Sequence, residues 1–345
     1  MHLPTLATLA EYQQQARELF PAAPTVEEAR QAIARHYDFR DWPALESFVE
    51  SLPQTGDFEA AVDAVVNGDI ATLQSLLIAN PTLIHTRSTR ITHFDPPVHG
   101  AMLLHYVAAN GVEGYRQRTP PNAVEVATIL LNAGAAPDAI AYLYGGECTT
   151  LSLLVSSCHP AAAGLQVALV HTLIDFGASV EPVGAGSWRS PLFTALAFGY
   201  AAAAEALVSR GARITDLAVA AGLGRISESK ALLPAADAPT RHRALALAAQ
   251  LGRVDAVRLL LDAGEDPNRY NPPGTHAHST PLHQAALAGH DAVVRLLVEG
   301  GASTQTLDTI YNATPAAWAR HAAHVALALF LEHTTVRQNS VSPDT

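Results

Sequence analysis

Residues 280–303 read TPLHQAALAGHDAVVRLLVEGGAS, and they write two short helices onto the chain. Thr280 and Pro281 suit a helix start. The small side chains of Ala285 and Ala286 let a neighbouring helix approach closely, and Gly289 ends the segment. A second helix follows, with Val293, Val294, Leu296 and Leu297 on one apolar stripe and Gly301 supplying its C-terminal turn. The same order returns on both sides of this stretch. RALALAAQLGRVDAVRLLLDAGEDPN begins at Arg243, SPLFTALAFGYAAAAEALVSRGARIT at Ser190 and TPAAWARHAAHVALALFLEH at Thr314. Looser copies lie upstream as far as Phe58, and LAVAAGLGRISESKALLP, from Leu217, is a short member. About eight helix pairs therefore run from Phe58 to His333, each burying its apolar face against its neighbours as in a solenoid.

The Thr280 unit resembles an ankyrin repeat, and the likeness carries a set of expectations. It implies an all-α ankyrin-repeat solenoid with β-hairpin or long-loop fingers between helix pairs, and places His105 and His283 where a histidine bridges backbone groups of adjacent repeats. The glycine spacing departs from a family period of about 33 residues. Gly252 and Gly289 stand further apart than that, whereas Gly199, Gly224 and Gly252 are closer, leaving no room for a full finger around the short member. Long fingers are expected at His85–Gly100, Pro137–Thr149, Glu181–Ser190, Arg269–Ser279 and Leu307–Ala313, which would turn an open groove into something nearer a pocket. Together PPGTHAHSTPLHQAALAGH, YGGECTTL and DTIYNATPAAWA resemble a bacterial ankyrin type with elaborated fingers. Asn312 and Ala313 stand where that pattern would put glycines.

Residues 1–55 form an expected N-terminal helical cap, 56–333 the repeat array and 334–345 a polar, frayed tail. In the cap, Thr25 and Glu28 have the spacing of a capping box and Pro43 sits at a helix start. Phe39, Trp42, Leu45 and Phe48 are expected to cover the first repeat. Insertions at Gly111–Asn122 and Cys158–Gly164 interrupt the turn inside two helix pairs, and should meet at the edge opposite the fingers.

The 345 residues include 21 basic and 32 acidic side chains, for a net charge of −11. This balance opposes nucleic-acid binding, which favours a basic face. With 49% apolar and 15% charged residues, the chain has ample material for a core. No run approaches the roughly 20 apolar residues that span a bilayer, and the start lacks a basic leader, so no membrane and a cytoplasmic location are expected. Cys148 and Cys158 are read as small buried hydrophobes. Phosphate-binding glycine motifs, GxSxG, HExxH and the EF-hand string are missing, and no cofactor is implied.

Candidate binding residues therefore come from the fingers and from the inner-helix positions that face the groove in the family. The fingers offer His93, Asp95, His99, Tyr142, Tyr144, Trp188, Arg189, His276, His278 and Tyr311; the inner helices offer Tyr106, Asn110, Thr194, Gln284 and Trp318. Aromatic surface with hydrogen-bonding tips suits a recognition hot spot. In an extended strand His276 and His278 would share a face, able to bind a ligand, act as acid or base, or hold a metal with Asp308 as the nearest third ligand. The principal reading is a binding protein that holds a protein or peptide partner on its concave surface. The alternative is an enzyme or small-molecule receptor with a pocket between the fingers. An open groove would favour the first, and a cavity of a few hundred Å3 with converging His and Tyr the second.

Overall fold

The computed structural model describes residues 9, 12–13, 16–17, 20–21, 23–36, 39–51, 56–90, 98–111, 113–183 and 190–340. The chain divides into two compact units, 1–191 and 192–345.

In the N-terminal unit, Val26–His36 and Trp42–Ser51 are the cap helices. The first opens with the expected capping box: Glu28 N–H donates to Thr25 Oγ1 at 3.1 Å and Thr25 N–H returns a bond to Glu28 Oε2 at 3.2 Å. Ile33, Trp42, Leu45 and Val49 bury their side chains with Tyr12 and Ala16, and Phe39 and Tyr115 pack against that cluster. The side chain of Phe48 lies outside the described residues. Helix pairs follow at Gly56–Asn67 with Ile70–Ala79, Leu103–Tyr106 with Ala123–Asn132, and Thr150–Leu154 with Gln166–Asp175.

Among the described residues, extended hairpin structure forms in one finger, where Ala141–Leu143 pairs antiparallel with Gly146–Cys148. Its two-residue turn has Tyr144 at φ 55° and Gly145 at φ 74°, the left-handed pair whose twist matches a tight hairpin. A tyrosine in that region costs about 1 kcal/mol. The cost is offset by its hydroxyl, whose one proton lies within reach of both Asn110 Oδ1 and Gly111 O, at 2.9 and 2.7 Å.

In the C-terminal unit, the inner helices Leu217–Leu223, Ala238–Gln250, Pro281–Leu287 and Pro315–His321 pack against one another in that order. Small residues permit this. Ala285 and Ala286 are fully buried, and a methyl group added at Gly222 would lie 3.3 Å from Leu196 and 3.4 Å from Leu247 Cβ. Outer helices such as Asp291–Glu299 bury Val293, Val294 and Leu297, each contributing roughly 1.5–3 kcal/mol. Gly252 and Gly289 end inner helices in the left-handed conformation. Neither position has room for a side chain, because a Cβ would fall 2.7 Å from the ring of His290 and 2.6 Å from that of His324. Those imidazoles donate backward to Gln250 O and Leu287 O, so each turn is clamped to the next repeat.

Several expectations need correction. The final helix, Val325–Ser340, continues through part of the tail expected to fray. Cys158 is exposed, at the start of the short helix Cys158–Ala162, while Cys148 is buried. The Gly111–Asn122 insertion turns toward the finger side: Gly111 meets Tyr144, and Glu113 meets Arg90 and His99 of the preceding finger. Its charged side chains need the counter-charges found there. The stretch Arg269–Ser279 is a pair of turns rather than a strand, since Thr275 N–H donates to Pro272 O and Ser279 N–H to His276 O.

Candidate ligand-binding cavity

The two turns place His276 and His278 together by a route that strand periodicity does not describe. Asn271 N–H donates to Ser279 O at 2.8 Å, closing the base of the finger. His276 sits at φ 59°, and its Nε2–H donates to Ala197 O at 3.0 Å. Burial, only partly opposed by that bond, pushes its pKa below the usual histidine value, so the ring is neutral with its lone pair on Nδ1. The His278 ring stands edge-on to it, 6.1 Å away.

The next finger supplies the opposite wall. Asp308 accepts the backbone N–H groups of Ile310, Tyr311 and Ala313 and the Trp318 indole N–H, the last at 3.0 Å. Burial works to raise its pKa, but these donors outweigh it and hold the carboxyl at about 2. Asn312, at φ 51°, completes the turn in place of a glycine, a conformation asparagine tolerates better than most residues. Trp318 is thereby fixed with its ring 5.6 Å from His278 and 5.2 Å from His283. His283 keeps the structural role expected of it: its Nδ1 lies 2.8 Å from Thr280 Oγ1, and its Nε2–H reaches Ala313 O at 3.1 Å.

Between these walls lies a cavity of 680 Å3, lined by His276, His278, Gln284, Tyr311 and Trp318 together with Phe198, Gln250, Leu287, Ala313, Ala317 and His321. Five residues expected from sequence thus meet in one place. Phe198, Gln250, Leu287 and His321 were missed. A signal existed for three of them: Gln250, Leu287 and His321 each lie two residues before the left-handed Gly252, Gly289 or Ala323 that follows the inner helix, so their positions are equivalent. Asp308 has its oxygens committed to the turn and to Trp318, which removes it as the third metal ligand. Among the described residues, no group of three His, Cys, Asp or Glu side chains could hold a metal ion.

Apart from Thr194, which belongs to the C-terminal unit, the remaining candidates lie in the N-terminal unit or outside the described residues. Tyr106 donates to Glu113 Oε1 at 2.7 Å, and burial raises its pKa well above the usual phenol value. Asn110 donates to Ser156 Oγ at 2.6 Å and to Leu153 O, and accepts from Tyr144. These polar tips serve internal bonds. Thr194 is buried and Tyr142 exposed. Trp188, Arg189, His93 and Asp95 lie outside the described residues.

The N-terminal unit has a buried ionic cluster that sequence reading did not find. Arg116 donates to Glu59 at 2.7 Å, to Asp63 at 2.9 Å and to Glu113 at 3.1 Å, while Arg90 binds Glu59, Glu113 and Tyr115. Ala101 N–H donates to His99 Nδ1, which places the ring proton on Nε2, directed at Glu113 Oε1 3.0 Å away. Burial raises the Glu59 pKa to about 7 against the pull of Arg116, with Glu113 adding to the rise. For Glu113, burial is outweighed by Arg90 and Arg116, which hold it well below the usual carboxylate range. The adjoining cleft has only 20 Å3, room for a single water. It is a structural knot tying the insertion to the first helix pair.

A family model described as the ankyrin repeat matches residues 242–272 and 278–308, so two ankyrin repeats contribute Gln250, His278, Gln284 and Leu287 to the cavity. Repeats of this family are generally protein-interaction modules. No curated protein matches the chain. Among the described residues, no helix is long and apolar enough to cross a membrane.

Proposed function

We propose that the chain is a cytoplasmic binding protein that holds a protein or peptide partner over the cavity of its C-terminal unit, without turnover. The observation that carries this reading is the rim. Leu307, Ile310 and Tyr311 are exposed on the finger beside the cavity, Tyr311 to 72%, and Phe198 and Leu287 show apolar surface at its mouth. Clustered apolar surface beside a pocket marks a site that a partner covers. The aromatic line Phe198, His276, His278, Trp318 supplies rigid side chains that lose little entropy on binding.

A second reading, a small-molecule receptor, draws support from the cavity itself. Its 680 Å3 falls within the roughly 300–1,000 Å3 of drug-sized ligand sites, and His and Tyr converge there. A displayed peptide library panned against the full chain separates the two readings. Selected peptides should lose at least about tenfold in affinity for Tyr311→Ala and His278→Ala, with unchanged unfolding midpoints. Peptides that bind both variants as tightly as the parent, or a library that yields no binder, would overturn the partner reading.

A further inference from the structure

The acceptor pattern of the cavity narrows what can enter it. Three lining side chains each have a donor bonded to the protein: His276 Nε2–H to Ala197 O, one Gln250 Nε2–H also to Ala197 O at 3.0 Å, and one Gln284 Nε2–H to Ser279 Oγ at 2.9 Å. These bonds fix the imidazole tautomer and both amide orientations. Each keeps an acceptor, Nδ1 or Oε1, that receives no hydrogen bond among the described residues, and each glutamine also keeps a second N–H. Gln284 is only 4% exposed, so its carbonyl has little access to water except through the cavity. An occupant bringing N–H or O–H groups can pair with these acceptors in place of water.

Charge narrows the choice further. Among the described residues, no Asp, Glu, Lys or Arg lines the cavity, so a charged group entering it would lose its hydration with no described side chain of fixed opposite charge to replace it. The walls are flat and aromatic: Trp318 lies tilted over His278 at 39°, and Tyr311 meets the same imidazole edge-on. Tryptophan, tyrosine and arginine are the residues enriched at interface hot spots. Arginine needs a carboxylate or similar partner that none of the described lining residues supplies, whereas indole and phenol each combine a planar apolar body with one neutral donor.

We infer that the cavity is a subsite for a tryptophan or tyrosine side chain presented by a partner peptide. The inference rests on the partner reading, and it specifies the residue that the partner must carry. The volume accommodates the ring together with flanking backbone, whose amide N–H groups can meet the second and third acceptors.

The test uses the full chain and end-blocked peptides with identical glycine-serine flanks and tryptophan, tyrosine, phenylalanine, arginine or glutamate at the centre, titrated by ligand-observed NMR. The tryptophan or tyrosine peptide should bind at least about fivefold more tightly than the phenylalanine peptide, the value of roughly one net hydrogen bond. The arginine and glutamate peptides should bind more weakly still. Gln250→Met and Gln284→Met keep side-chain length and remove an acceptor, so the preference over phenylalanine should fall toward one while phenylalanine binding is unchanged. If Gln284→Met lowers the unfolding midpoint, Gln250→Met, half-buried at a helix end, carries the test. Equal binding of phenylalanine, tightest binding of arginine or glutamate, or a preference that survives both glutamine changes would each overturn the inference. Free indole binding as tightly as the tryptophan peptide would assign the cavity to a small molecule instead. Should none of these peptides bind while library-selected peptides still lose affinity at Tyr311→Ala, the subsite fails and the partner reading stands.

Discussion

His283 closes two repeats with one imidazole, accepting from Thr280 in its own helix and donating to Ala313 O in the next finger. Burial holds its pKa below the usual histidine value, as the neutral tautomer requires. His283→Ala should cost about 1–3 kcal/mol, because Ala313 O loses its buried donor. Three residues further along the helix, Ala286→Leu should cost a similar amount, about 1–3 kcal/mol, by overpacking. Urea unfolding midpoints check both, and midpoints that stay put would mean neither residue sits at the helix contact. Both roles were legible in the sequence, because a repeat fixes the environment of its equivalent positions. His276 and His278 were legible as a pair for the wrong geometric reason. Local alternation suggested a strand, whereas two successive turns bring the rings together. Trp318 was visible as a groove residue, but its anchor was not: Asp308 reads as a ligand until the turn that consumes its oxygens is known.

The helix pairs themselves were readable because every signal that defines them is local: an apolar stripe, small inner residues and a left-handed glycine at the end. The Gly111–Asn122 insertion was not readable in this way. Its partners, Glu59 and Asp63 for Arg116 and Gly68 for Asn122, belong to the preceding helix pair, and no periodicity connects them. That knot also gives the insertion a pH response. The Glu59 pKa rises from 4.5 to about 7 on burial, so the folded unit favours the protonated acid. Its contribution is present below pH 4.5 and is lost as pH rises through about 7. His105, pushed down to about 4 by burial, acts oppositely: its contribution is present above pH 6.5 and is lost as pH falls toward 4. Glu59→Gln retains a neutral side chain and leaves His105 in place. Relative to the parent, it should therefore gain stability between pH 5 and pH 8 by on the order of 2 kcal/mol. Chemical unfolding at both pH values measures this. A parent-to-variant difference that does not change with pH would show that Glu59 is ionised throughout.

At the scale of the whole chain, the acidic excess is unevenly divided. Residues 1–191 hold nine basic and nineteen acidic side chains, whereas residues 192–345 hold twelve and thirteen. The N-terminal unit therefore carries nearly all of the net charge of −11. Like charges spread over one compact unit repel one another and destabilise it. Added salt screens the exposed charges strongly and buried pairs such as Arg116 with Glu59 only weakly, so screening should relieve repulsion without dissolving the knot. The two units can be followed separately in the intact chain through their tryptophans. With Trp188 changed to Phe in both cases, Trp318→Phe leaves Trp42 as the reporter of the N-terminal unit, and Trp42→Phe leaves Trp318 as the reporter of the C-terminal one. Raising NaCl from about 0.05 to about 0.5 M shortens the screening length from well above 10 Å to under about 5 Å. The Trp42 transition should move to higher temperature over that range, while the Trp318 transition, in a unit close to neutrality, should move much less. Equal shifts at both reporters, or a Trp42 transition that falls with salt, would mean that the exposed acidic charge is not what limits the stability of the N-terminal unit.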